Sequence, residues 1–314
     1  MRKIFTIGET VYDIVFRDTK PVTAIPGGAM LNSSVSLGRL NLPVTYITEV
    51  GKDEIGDIIF EFLKTNNVET DFVNRFEDGK TALSLAFLDE SDNASYSFYK
   101  EYPGKRLSAG VPMTAKDDIV LFGSFFALAK EVRNPLMSFI REASRNNSIL
   151  IYDPNYRKPH GNEFPGLNEY IGENISFANI VRGSDEDFRF ICGVQNADEA
   201  FDFVKQNGCS FLIYTVGSDN VEFRSKKYSF SVPVPKVKVV STIGAGDNFN
   251  AGLIYSLYKE NIGIEDLDVI DAEMWKSIVR IGIAFGSNVC GSYKNYISIE
   301  FGEGILSNFK STSK

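Results

Sequence analysis

The first seventy residues switch repeatedly between two hydrophobic periods, and that switching leaves few folds open. IFTIG (4–8) is a short β-branched and aromatic run closed by glycine. NSSVSLGRL (32–40) carries apolar residues at helical spacing and is followed by the stop signal NLP. VTYITEVG (44–51) is again strand-like, and DEIGDIIFEFLKTNN (53–67) is an amphipathic helix ending in paired asparagines. Short buried strands separated by helices cannot pair as hairpins, because each helix carries the chain back to the start of a parallel neighbour. The expected fold class is therefore α/β, a three-layer α/β/α arrangement of Rossmann type with a mostly parallel sheet.

The alternation is interrupted once. TALSLAFLDESDNASYSFYK (81–100) reads as two strands around a polar turn, a hairpin inside an α/β chain. Such an insertion is either a passive edge hairpin or a movable cover for a site. The alternation then resumes through DIVLFGSF (118–125), the helical NPLMSFIREASRNN (134–147), SILIYDPN (148–155), IVRGS (180–184) and FLIYTVGS (211–218). VEFRSKKYSFSVPVPKVKVV (221–240) reads as antiparallel strands at a sheet edge, and EMWKSIVRIGIAFGSNVCG (273–291) as a last helix. No repeat or low-complexity linker divides the 314 residues, so a single domain spanning 1–314 is expected.

Composition excludes several functions. The net charge of −8 argues against general nucleic-acid binding. Three widely spaced cysteines (Cys192, Cys209, Cys290) and a lone His160 leave no zinc constellation and suit a reducing, cytoplasmic setting. The basic N-terminus is broken by Gly8, Glu9 and Asp13, which suits a first strand rather than a signal peptide. No stretch approaches the roughly 18 apolar residues of a membrane span.

The segment STIGAGDNFNAG (241–252) carries the chemistry. Small residues at the start of a helix let an anion approach unpaired backbone N–H groups on the positive end of the helix dipole. Gly244, Ala245 and Gly246 provide that approach. Asp247 follows at once. An acid there would repel a stored phosphate, yet it suits a general base that takes a proton from a hydroxyl attacking phosphorus. The plainer alternative is a helix-start acid favoured by the dipole. A Walker A loop is absent: before Gly79-Lys80-Thr81, Asn74 stands where the first glycine belongs.

GAGDNFNAG resembles a signature of the PfkB (ribokinase-like) carbohydrate kinases. PGGAMLNSSVSLGRL (26–40) with GKDEIG (51–56) resembles the family's N-terminal signature, and the likeness runs through nearly the whole chain in order. It implies ATP-dependent phosphorylation of a sugar hydroxyl with Mg²⁺, Asp247 as base, and Gly244, Ala245 and Gly246 as the anion hole. GETVYD (8–13) assigns Asp13 to sugar hydroxyls, beside Gly27, Gly28 and Asn32; Asn32 is also a candidate N-cap for the helix after it. DPNYR (153–157) assigns Asn155 and Arg157 to the phosphate-transfer path; read as a β-like stretch, it would put Asp153, Asn155 and Arg157 on one face. YTVGS (214–218) places Thr215 and Gly217, with Asn288, near the nucleotide. In SDEDF (184–188), Asp187 and the adjacent Glu186 match the acid that orients the water shell of Mg²⁺. A lid formed by about 12–25 and 81–107 is implied, with Lys100 as a substrate contact and pairing of two lids as a route to a homodimer.

GETVYD, PGGAMLN and DPNYRKP together are most similar to fructokinases. Ribokinase and 2-keto-3-deoxygluconate kinase are the alternatives, as is a non-catalytic sugar or nucleotide sensor on the same fold. Two departures bear on a monovalent cation. Ser241 stands where the family usually has Asp, and Ile243 follows the motif's Thr, so K⁺ activation would rest on backbone carbonyls. Asn220 stands where a second glycine of the nucleotide loop is common.

Overall fold

The computed structural model describes residues 2–88, 94–108, 110–156 and 166–312. Apolar, β-branched strands pair in parallel at its centre. β1 (Ile4–Ile7) lies between β4 (Val44–Gly51) and β8 (Ile119–Gly123), with Ile4 opposite both Val44 and Ile119. The sheet continues outward through β9 (Ile149–Asp153), β10 (Ile180–Ser184) and β11 (Phe211–Val216) on one side and β5 (Val73–Phe76) on the other, all parallel. β12 (Asn220–Ser225) and β13 (Ser229–Pro233) close the far edge antiparallel, as their composition suggested.

Helices cover both faces because each carries one apolar stripe. On one face lie α1 (Ala29–Arg39), α2 (Glu54–Thr65), α7 (Ala245–Lys259) and α8 (Ala272–Val289), contributing Leu31, Val35, Ile59, Leu253, Trp275 and Phe285 to a core. On the other lie α3 (Lys130–Arg145), α4 (Leu167–Phe177), α5 (Asp185–Cys192) and α6 (Ala197–Gln206), burying Leu136, Phe139, Ile175, Phe188 and Val204. α9 (Ile299–Thr312) lays Phe301 and Ile305 against the first core. This is the expected three-layer α/β/α class. α9 lies beyond the helix read as the last one.

A second sheet stands apart from the first. β2 (Val11–Arg17) pairs antiparallel with β3 (Lys20–Gly27) and in parallel with β6 (Lys80–Leu88), which pairs antiparallel with β7 (Ala94–Glu101). The expected hairpin is therefore present, although its turn at 89–93 lies outside the described residues. Asp13, expected just after the first strand, sits instead inside β2, opposite Ile25 and Ser84.

Strand order places the functional region. From β1 the sheet runs to β4 and then β5 on one side, and its remaining strands extend from β8 on the other. Open α/β sheets bind ligands outside the carboxyl ends of the strands where the order reverses. Gly8–Thr10 after β1 and Ser124 after β8 occupy that point. Among the described residues, no helix is long and apolar enough to cross a membrane.

Candidate active site

A cleft of about 680 Å³ opens at this reversal, between the ends of the large sheet and the small one. Its walls include Glu9, Asp13, Gly28, Asn32, Lys100, Arg106, Ser124, Asn155, Asp247 and Asn295. Residues far apart in sequence thus meet here, including most of those assigned to the sugar.

The floor is the start of α7. Gly244 is its N-cap at φ 81°, a left-handed conformation that side chains other than glycine adopt at a cost. A Cβ there would also lie 2.8 Å from the Asn295 carbonyl oxygen. Of the amides assigned to the anion hole, that of Ala245 donates to the Thr242 carbonyl at 3.2 Å, so it is already engaged. The Gly246 N–H has no acceptor among the described residues. Asp247 occupies the first turn and accepts from Asn32 Nδ2 at 2.8 Å, while its carbonyl accepts from Ser33 Oγ at 2.7 Å.

Asn32 is not the N-cap. Helix α1 begins earlier, with Gly28 as its cap at φ 122°, and Asn32 is buried one turn in with its amide turned to Asp247. The glycine at 28 is required by space as well, since a Cβ would sit 2.3 Å from the Glu9 carbonyl oxygen. Asp13 lies over Gly27, where an added Cβ would come within 1.9 Å of its Oδ2, and Asn295 Nδ2 lies 3.4 Å from the same oxygen.

Beneath the glycine turn runs a polar network that the sequence reading did not single out. Asn248 is fully buried and donates to the carbonyls of Gly244 and Asn295, each at 2.8 Å. Its Oδ1 accepts from Ser36. Asn250 donates to Asp153 Oδ2 at 2.5 Å. Arg182 spans the gap, with Nη1 on Asp153 Oδ2 at 3.1 Å and Nη2 on Thr215 Oγ1 at 2.9 Å. The guanidinium lies directly under Gly246, where a Cβ would be 2.6 Å from Nη1. The two asparagines of GAGDNFN are the sequence signal for this network: an amide on an otherwise buried helix needs partners.

The segment 153–157 departs from the expected alternation. Asp153 ends β9, but Asn155 turns left-handed at φ 37°, so the two do not share one face of an extended strand. Asn155 reaches the cleft wall and Asp153 is buried in the network. Arg157 lies outside the described residues.

Asp187 proves to be a capping residue. Its Oδ2 accepts from the backbone N–H and hydroxyl of Ser184 at 2.6 and 2.7 Å, closing a capping box on α5, and Oδ1 accepts from the Tyr156 N–H at 2.6 Å. Burial, with the charge of Asp153 behind it, pushes its carboxyl up to about 6, against the pull of the Ser184 donors and Arg182. Glu186 points to solvent. Among the described residues, no three His, Cys, Asp or Glu side chains gather to hold a metal.

On the side assigned to the nucleotide, Thr215 is the penultimate residue of β11 and its hydroxyl accepts from Arg182, and Gly217 takes φ 47° in an exposed turn. Asn288 accepts from the Ser298 N–H at 3.0 Å, fixing the entry to α9. Asn220 needs no positive φ, because it opens β12 opposite Val216 and Pro233. The Ser241 hydroxyl accepts from the Ile243 N–H at 3.2 Å.

Another part of the cleft wall is made by side chains. Lys100 Nζ meets Glu9 Oε2 at 2.7 Å, and Tyr102 donates to Glu9 Oε1 at 2.5 Å. Burial and the Glu9 carboxylate hold the Tyr102 hydroxyl in its neutral form, far above the usual tyrosine range. Arg106 lies flat on Tyr102, 3.5 Å from the ring centre, and its Nε donates to the buried Glu49.

The arrangement has known counterparts. A family model described as pfkB family carbohydrate kinase matches residues 1–300. A fructokinase of Rhizobium leguminosarum bv. trifolii is 29% identical, with 82% of this chain and 81% of that protein covered. The structure of a double mutant of Vibrio cholerae fructokinase, bound to fructose, ADP and potassium, superposes at TM-score 0.85 and 20% identity, covering 98% of each chain. The structure of Salmonella enterica aminoimidazole riboside kinase, with its riboside and an ATP analog, superposes at TM-score 0.83 and 20% identity, covering 98% of this chain and 99% of that one. At such identities the superpositions establish the fold.

Proposed function

The chain belongs to the pfkB family of carbohydrate kinases, and from that premise we propose that it transfers the γ-phosphoryl group of ATP to a hydroxyl of a neutral sugar, fructose first among the candidates. One observation carries the reading. Asp247 stands in the first turn of α7, beside the Gly246 amide and oriented by Asn32, on the floor of a cleft large enough for a sugar.

Asp247 takes the proton from the attacking hydroxyl as its oxygen forms a bond to the γ-phosphorus and the bond to ADP breaks. Asn32 Nδ2 holds one carboxylate oxygen, which fixes the direction of the other. The N–H groups of Gly244 and Gly246 face the charge that develops on phosphorus, and the α7 dipole adds to them. The Ala245 amide joins them only by leaving Thr242. Arg182, anchored to Asp153 and Thr215, places its guanidinium under the turn and offsets part of the negative charge gathered there. Asp13, Asn295, Asn155 and Lys100 position the sugar. Arg157 belongs to this reading as a phosphate contact. Thr215, Gly217 and Asn288 flank the nucleotide.

Mg²⁺ tends to keep several waters and to bind through few carboxylates. The donor set here fits that mode, because Asp187 already spends both oxygens on backbone and hydroxyl donors and would meet the ion through water, with Glu186 beside it. Held there through water, Mg²⁺ would supply positive charge to offset that of the ATP phosphates. K⁺ is not required in this reading, since Ser241 supplies no carboxylate and its hydroxyl is turned to Ile243. The small sheet, with Asp13 and Lys100 on its strands, acts as a lid that excludes water. Its exposed edge strand β7 is the surface by which two copies would pair. A cytoplasmic location goes with this reading.

The test is ADP release from Mg-ATP with fructose, ribose, 2-keto-3-deoxygluconate, an aminoimidazole riboside and fructose 6-phosphate, in K⁺ and in Na⁺ salts. We expect turnover with a neutral sugar in both salts, falling about 10³-fold or more in Asp247→Asn with sugar affinity kept. Full activity of that variant would remove Asp247 from the chemistry. Sugar binding without turnover by the wild type would favour a sensor.

A further inference from the structure

We propose that Arg106 is a specificity-determining residue that reads two neighbouring oxygens of the sugar in the cleft that Asp247 also lines. The proposal rests on the sugar-kinase reading of this cleft and adds the group that recognises the substrate.

The guanidinium is incompletely used by the protein. Arg106 is 9% exposed and lines the cleft. Among the described residues, Nε is the only one of its five donors that is bonded, to Glu49. Glu49 does not offer the usual bidentate grip, because its second oxygen accepts the Leu107 N–H at 2.8 Å. Nη1 and Nη2 have no acceptor among the described residues. Neither nitrogen is sealed inside the protein, so both open onto the cleft, where a bound ligand can accept from them. The fork is also held still: Tyr102 lies under its face and Glu49 fixes its stem. Two parallel N–H groups in a fixed plane match two adjacent oxygens.

Charge decides which oxygens. Glu49 balances Arg106, and Lys100 with Tyr102 already occupies the Glu9 carboxylate. Asp13 and Asp247 line the same cleft. A carboxylate or phosphate on the sugar would therefore enter a cluster that is already neutral, facing further acids. Two neighbouring hydroxyls of a neutral sugar satisfy the fork without that repulsion.

Removing Arg106 alone would strand the buried Glu49 charge and could unfold the chain. The informative variant is Glu49→Gln with Arg106→Gln, with Arg106→Lys beside it. Wild type and variants are compared on fructose and its monodeoxy analogs, by steady-state kinetics and by calorimetric binding without ATP. We expect sugar KM and Kd to rise at least about ten-fold in the double variant, as for one lost charge-assisted contact, with ATP KM changed less than two-fold. Arg106→Lys should fall between. One or two deoxy analogs should lose their penalty in the double variant, because the lost hydroxyl and the lost fork are the same contact. Unchanged sugar Kd, an equal penalty for every analog, or preference for 2-keto-3-deoxygluconate over neutral sugars would each overturn the assignment, as would failure of the wild type to bind any neutral sugar. Binding that depends on Arg106 without phosphoryl transfer would keep the assignment and remove the kinase reading.

Discussion

The two ends of the cleft are built on opposite plans. Around Asp247, backbone geometry and buried side chains hold most groups in place before a ligand arrives. Asn250, Asp153, Arg182 and Thr215 bond to one another under the glycine turn, and Asn248 holds the Gly244 and Asn295 carbonyls. At the other end, Lys100 and Tyr102 converge on Glu9 from the rim of an exposed sheet, and Arg106 leaves most of its donors unspent. The first plan suits stabilisation of a transition state, which loses its advantage if dipoles must reorganise during reaction. The second suits recognition, where a ligand completes what the protein leaves unmet. Changes at the first end should therefore appear in kcat and stability, and changes at the second in sugar KM.

The hardest test of the rigid end is Gly246→Ala. Gly246 has no positive φ, so backbone strain does not enter. Only space does: the new methyl would meet Arg182 Nη1 at 2.6 Å and Nη2 at 3.0 Å. Arg182 cannot retreat without giving up Asp153 or Thr215. The turn must move instead, and with it the Gly246 amide. Loss of one such donor costs on the order of 10²-fold in kcat, with sugar KM nearly unchanged. If steady-state kinetics gave a kcat within three-fold of wild type, the turn would be compliant and the contrast between the two ends would fail.

The rigid end also holds an excess of negative charge, which pH can expose. Burial and Asp153 raise the Asp187 carboxyl from 3.8 to about 6. Between those values the folded chain keeps a proton that the unfolded chain has released. Asp187 therefore makes stability decline as pH rises through that window and adds no further slope above it, by up to about 1.4 kcal/mol per pH unit for one proton. Asp187→Asn cannot titrate and should lack that decline. Urea unfolding of both proteins from about pH 4 to about pH 7 reads the difference. Parallel curves would mean that Asp187 is already ionised throughout, with its donors sufficient to hold the charge.

The sequence made the two ends unequally legible. The glycine turn and Asp247 could be found because small residues before a helix have few structural reasons to be followed by an acid. The sheet order followed from the hydrophobic alternation. Asn32 was identified but given the wrong helix position, because the start of α1 is set by Gly28 and the close approach of the Glu9 carbonyl, a contact made across the fold. Arg182 carried no signal of its own, since an arginine in IVRGS reads as a strand residue until Asp153 and Thr215 are brought beside it. Arg106 was invisible for a related reason: only its pairing with Glu49, across 57 positions, reveals a buried guanidinium. Asp187 had a visible motif, but the same acidic run also makes a capping box, and the cap and the Tyr156 N–H together use both of its oxygens. Long-range polar pairs leave no periodicity for a sequence to display.

The smallest expected effect belongs to the open end. Lys100 Nζ pairs with Glu9 at 2.7 Å, with side chains 32% and 22% exposed. Water screens such a pair, so its contribution to stability is at most about 1 kcal/mol. Lys100→Met keeps the aliphatic stem over Phe98, which lies 4.8 Å from the ammonium, and removes only the charge. Sugar KM should rise a few-fold, kcat should stay within two-fold, and the unfolding midpoint should barely move. The size of the KM change then discriminates between two states of Glu9. If Glu9 stays held by Tyr102, its second oxygen turns to the sugar and the rise is small. If KM instead rises as far as in the Arg106 double variant, Lys100 and Arg106 act on the substrate as one unit, and the open end is organised before binding after all.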